Sequence, residues 1–88
     1  MDRHQLLTRL TEAGVSDRFY GISTRGLSTS NHLHEAAPVL TEGRDGRWTI
    51  DVYERGEHWE EASFDSEEEA CSYLYAGVMR QWELYGSQ

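Results

Sequence analysis

The run Ser66-Glu67-Glu68-Glu69, followed by apolar residues at Ala70, Cys71, Leu74, Val78 and Trp82, constrains this chain more than any other feature. A hydroxyl at the first position can accept from the amide three residues on, and a Glu at that position can reach back, which makes a capping box. Glu67, Glu68 and Glu69 also crowd the first turn, where the helix dipole favours negative charge. The apolar positions recur at helical spacing and draw one stripe. A helix running from this cap to about Leu84–Gly86 therefore closes the chain, and its stripe requires an apolar surface to lie on.

The preceding residues supply that surface as strands. Apolar and β-branched residues alternate in Ala37–Glu42, Arg47–Tyr53 and Glu57–Phe64, and the first two runs are separated by the turn sequence Gly43-Arg44-Asp45-Gly46. Pro38 lacks a ladder donor, which places the first of these strands at a sheet edge or makes it start late. Trp48, Ile50 and Val52 share one parity and must share one face, with Ala62 and Phe64 as the apolar residues available from the next strand. A two-residue Arg55-Gly56 loop would put these two sets on opposite faces. A three-residue Glu54-Arg55-Gly56 loop pairs Tyr53 with Glu57 and Asp51 with Trp59 and keeps them together, so it is the expected arrangement.

Upstream, Leu6, Leu7 and Leu10 predict a helix over Arg3–Ala13, started by an Asp2/Gln5 cap pair and stopped at Gly14, with Val15 as the apolar contact after the stop. Arg18–Ile22 reads as a short strand with Tyr20 and Ile22 on one side. Ser23–Glu35, rich in Ser, Thr, Gly and Asn, reads as a surface loop long enough to be either mobile or part of a functional surface. The expected fold class is α+β. An N-terminal helix precedes an antiparallel meander of about four strands and a C-terminal helix, in a single domain over residues 1–88 with both helices on one face. Thr49, Asp51, Tyr53, Trp59 and Glu61 would then lie on the other, open face.

Composition narrows the function. Eighty-eight residues bury one core and leave no cleft between domains. Sixteen acidic against eight basic residues give a formal charge of −8, which repels phosphate backbones and anionic membrane surfaces and attracts a basic protein. No nucleic acid and no membrane is expected as partner. A single cysteine, Cys71, excludes an intramolecular disulfide and a cysteine-based metal site within one chain. Without an apolar signal core at Met1-Asp2-Arg3-His4 or a membrane-length segment, the expected location is cytoplasmic.

The segment Gly-Arg-Trp-Thr-Ile-Asp-Val-Tyr-Glu-Arg-Gly-Glu from Gly46, together with Phe64-Asp65-Ser66-Glu67-Glu68-Glu69-Ala70-Cys71-Ser72-Tyr73-Leu74, resembles small immunity proteins of bacterial polymorphic toxin systems. Looser similarity extends through the leading helix, the Gly14-Val15 turn and Tyr20-Gly21-Ile22. The resemblance implies a cytoplasmic antidote that binds a cognate toxin domain and blocks it, with no catalysis and no cofactor of its own.

Catalytic and metal-binding readings are weaker on the residues themselves. His32, His34 and Glu35 have metal-ligand chemistry, but no further spaced Cys or His joins them, and solvated side chains explain them. Cys71 falls on the apolar stripe beside three glutamates that disfavour a thiolate. Glu60-Glu61 and Glu67–Glu69 offer paired carboxylates without a pocket around them, and His58 with Glu60 or Glu61 lacks a nucleophile. The expected partner-binding residues are therefore Asp51, Tyr53, Glu57, Trp59, Glu60 and Glu61. The acids would meet a basic toxin surface, the aromatics would fill apolar pockets, and the unbound chain would be a monomer. The alternative is a non-enzymatic adaptor that self-associates through an exposed edge strand.

Overall fold

A computed structural model of the chain describes residues 1–29, 33, 36–43 and 45–86. The candidate metal ligands His32, His34 and Glu35 lie outside the described residues. The chain runs as α1 (Arg3–Glu12), β1 (Gly21–Thr24), β2 (Leu27–Ser28), β3 (Pro38–Glu42), β4 (Trp48–Glu54), β5 (Glu57–Phe64) and α2 (Glu67–Gln81), with a π turn over Trp82–Gly86. The fold is α+β, with both helices packed into one apolar cluster against one side of the sheet.

The sheet is mixed and five-stranded, in the order β2-β1-β3-β4-β5, which corrects the expected four-stranded antiparallel meander. β1 runs parallel to β3, pairing Gly21 with Val39 and Ser23 with Thr41. The predicted 18–22 strand starts later, at Gly21, and continues into the segment read as loop. There Arg25-Gly26 turns the chain into β2, with Gly26 in the left-handed region at φ 81°. Pro38 opens β3 as a late start requires, but β3 lies inside the sheet and not at its edge. A missing N–H is tolerated there because Pro38 is the first strand residue.

Both helices begin on side-chain caps. Asp2 accepts from the Gln5 amide at 2.8 Å while the Gln5 side chain accepts from the Asp2 amide at 2.9 Å, a complete capping box. At α2 the Ser66 hydroxyl accepts from the Glu69 amide at 3.2 Å and donates to the Glu69 carboxylate at 3.2 Å. Arg3 ties the two helix starts together. Its backbone N–H and its guanidinium both donate to Glu67, at 2.8 and 2.9 Å, its other guanidinium nitrogen donates to the Arg25 carbonyl at 3.3 Å, and it lies 5.9 Å from the centroid of the Trp48 ring.

Cross-strand rows follow from the register. Ile22, Leu40, Ile50 and Ala62 form one row beneath the helices, flanked by Pro38, Val52 and Trp59 on one side and Glu42, Trp48 and Phe64 on the other. Leu6, Leu10, Ala70, Cys71, Leu74 and Val78 close over them. On the outer side, Gly21, Val39, Asp51 and Glu60 form one row and Ser23, Thr41, Thr49 and Ser63 the next. This outer side is not wholly open. A Cβ placed on Gly21 would lie 2.9 Å from the Leu33 Cδ1 and 3.1 Å from a Val39 methyl, so Leu33 sits over β1 as the chain returns from β2 to β3.

Candidate protein-binding surface

The β4–β5 hairpin decides where the candidate residues go, and its register departs from expectation. Glu54 pairs with Glu57 and Tyr53 with His58, so the loop is the two-residue Arg55-Gly56 turn and not the three-residue loop. Arg55 at φ 52° and Gly56 at φ 81° are both left-handed, as a type I′ turn requires. The parity conflict that argued against this loop is resolved inside β5. Ile50 pairs with Ala62 but Asp51 pairs with Glu60, which leaves Glu61 as the extra residue of a β-bulge. Alternation restarts across the bulge, and Ala62 and Phe64 reach the helix side despite the short loop.

The five residues expected on one open face are consequently divided. Thr49, Asp51 and Tyr53 point to the outer side, where His58 and Glu60 join them, while Trp59 shares the helix side with Val52. Glu57, opposite Glu54, has the same parity as Trp59. Glu61 also reaches the helix side, where its carboxylate accepts from the Tyr73 hydroxyl at 3.0 Å. That bond holds the phenolic proton and raises the Tyr73 pKa, with burial and the Glu61 charge adding to it.

Asp51 is the one candidate that the fold withdraws from the surface. It is 7% exposed, and its carboxylate lies 3.2 Å from the His58 Nε2. His58 in turn stacks on Tyr53 with ring centroids 4.4 Å apart and planes 11° from parallel. Asp51 also faces Glu60 directly across the strand pair, a like-charge juxtaposition that the imidazole relieves. The described partner of the His58 imidazole is thus Asp51, while the Glu61 carboxylate is engaged by Tyr73 on the helix side. The two-residue turn was the signal that would have placed His58 opposite Tyr53.

What remains exposed is the distal half of the hairpin. Glu57, His58, Trp59, Glu60 and Glu61 are all exposed, whereas Ala62, Ser63 and Phe64 are half-buried. Tyr53 at 53% and Trp59 at 42% exposure present an aromatic ring on each side of the hairpin. Beside Glu61 and Tyr73, a groove of about 670 Å³ continues between α2 and the start of β3, lined also by Phe19, Pro38, Ala76 and Arg80.

No described group of three or more His, Cys, Asp and Glu side chains is arranged to hold a metal ion. Cys71 is fully buried, and its pKa is pushed up to about 11, first by burial and then by the Glu67 charge. Burial therefore outweighs the acidic cap that the sequence pointed to. Among the described residues no helix is long and apolar enough to cross a membrane. Comparison with protein-family models, with curated proteins and with solved structures finds no match.

Proposed function

We propose that this chain is a protein-binding inhibitor of the immunity type, which occupies a basic surface on a toxin domain with the distal half of its β4–β5 hairpin. The observation that carries the reading is that Glu57–Glu61 is exposed along its whole length, with an aromatic ring on either side of the hairpin. The two-residue turn and the pairing to β4 set this segment as a strand before any partner is met, which lowers the ordering entropy that docking costs. Trp59 and Tyr53 have the chemistry of interface anchors, and Glu57, Glu60 and Glu61 supply the charge that steers a cationic partner. Asp51 belongs to the hairpin's internal support and not to its contact set. The resemblance to immunity proteins and the formal charge of −8 point the same way.

The test is affinity capture of the tagged chain from its native cells, alongside a variant carrying Glu57→Lys, Glu60→Lys and Glu61→Lys. Recovery of one stoichiometric protein with a basic surface, lost on charge reversal, is the expected result. Equal recovery by both forms would overturn the proposed surface.

A further inference from the structure

The contact mode can be taken a step further, resting on the reading of the hairpin as the docking element. We propose that the free edge of β5 receives an extended, basic segment of the partner as a sixth strand. The sheet ends in two unequal edges: β2 has two residues, and β5 has eight. In a hairpin closed by a two-residue turn, the Glu54/Glu57 pair directs its hydrogen bonds inward. Alternation then turns the N–H and C=O groups of His58 and Glu60 outward, away from β4. Those groups lie in the half of β5 whose side chains are exposed on both sides of the sheet, and among the described residues no strand pairs with that edge.

Side-chain charge selects the occupant. Glu57 and Glu61 flank the edge on the helix side with Trp59 between them, and Glu60 flanks it on the outer side. A second copy of this chain laid along the edge would set glutamate against glutamate, between two molecules each of formal charge −8. A strand carrying Lys or Arg at alternate positions on the helix side would instead meet the Glu57 carboxylate and the Trp59 ring within the regular ladder, with the Glu61 carboxylate just beyond it. The bulge at Glu61 limits the register, since regular pairing is available from Glu57 to Glu60 and is broken beyond it. The occupant is therefore a short segment of about four paired residues.

The test uses the whole chain and two synthetic decapeptides, one alternating Lys and Val and one alternating Glu and Val, at physiological ionic strength. Nuclear magnetic resonance follows amide exchange. Strand addition predicts that the basic peptide slows exchange of the His58 and Glu60 amides at least about ten-fold, leaves the inward Trp59 amide unchanged, and is not matched by the acidic peptide. Glu60→Pro, which removes an outward donor without breaking a β4 hydrogen bond, is expected to weaken peptide binding about ten-fold, against about two-fold for Glu60→Gln.

Binding of the basic peptide without protection of those two amides would overturn strand addition in favour of plain ionic contact. Absence of binding, or slowed exchange that appears without peptide and rises with protein concentration, would overturn it as well. Each of these failures leaves the capture experiment free to succeed, so the contact mode and the inhibitor reading fail separately.

Discussion

Gly21 tests whether the chain closes over the outer side of β1. Its φ is not in the left-handed region, so Gly21→Ala introduces no backbone strain, and in a strand it would on its own stabilise the fold by roughly 0.5–1 kcal/mol through the unfolded chain. The new methyl, however, would stand 2.9 Å from the Leu33 Cδ1 and 3.1 and 3.4 Å from the two Val39 methyls. Val39 is β-branched and fixed by pairing to both neighbouring strands, so it cannot rotate away. Leu33 must move, and overpacking of this kind costs about 1–3 kcal/mol. The net expectation is a loss of about 1 kcal/mol, or roughly 4–8 °C in Tm for a domain of this size. Urea unfolding followed by tryptophan fluorescence measures it. In a Leu33→Ala background the shortest of these contacts is gone and only those to Val39 remain, so Gly21→Ala should cost clearly less, a coupling of at least about 0.5 kcal/mol. Equal effects of Gly21→Ala in both backgrounds would refute the placement of Leu33 over β1.

Other perturbations probe the hairpin and the core. Deleting Glu61 removes the bulge residue but leaves the Ile50/Ala62 and Asp51/Glu60 pairs in regular alternation, so that variant should fold with a loss of about 1 kcal/mol or less by urea titration. Deleting Thr49 from the doubly paired β4 should abolish cooperative unfolding. His58→Ala leaves the buried Asp51 carboxylate facing Glu60 without its partner and should destabilise by about 1–3 kcal/mol. Asp51→Asn in the same chain should recover most of that loss. Cys71 should resist a thiol reagent at pH 8 in the native state and react at once in denaturant. Because the folded thiol keeps its proton to about pH 11, against 9.0 for the free group, unfolding releases a proton between those values. Stability should therefore fall as pH rises through that window in the wild type, and less so in Cys71→Ser.

Much of this fold is legible locally. The caps at Asp2 and Ser66, the bounds of β5 and the helix-facing set Trp48, Ile50, Val52, Ala62 and Phe64 all follow from residue chemistry and spacing. The errors share one cause, which is that pairing is not local. β1 has the same apolar pattern whether its neighbour runs parallel or antiparallel, so nothing in Gly21–Thr24 declares Val39–Thr41 as its partner. Arg25-Gly26 is the same dipeptide as the turn at Arg55-Gly56, yet β2 is too short to announce itself by alternation. Parity reasoning also assumed one uninterrupted alternation through β5 and moved the extra residue into the turn, when the chain carries it at Glu61. That single displacement sent Trp59 and Glu61 to the wrong side of the sheet and hid the Asp51–His58 contact.

The parallel contact between β1 and β3 also sets an order of events for folding. β3, β4 and β5 are joined by short connections and can pair as soon as they meet, but β1 finds β3 only after the intervening β2 turn and return segment close a longer loop. The meander and α2 should therefore form the nucleus, with α1, β1 and β2 docking afterwards. Synthesis delivers the segments in the opposite sequence, so Leu6, Leu10, Tyr20 and Ile22 emerge first and have no sheet to cover until the hairpin follows. Folding φ-values near zero in β1 and well above it in β4 and β5 would be the kinetic signature of that delay.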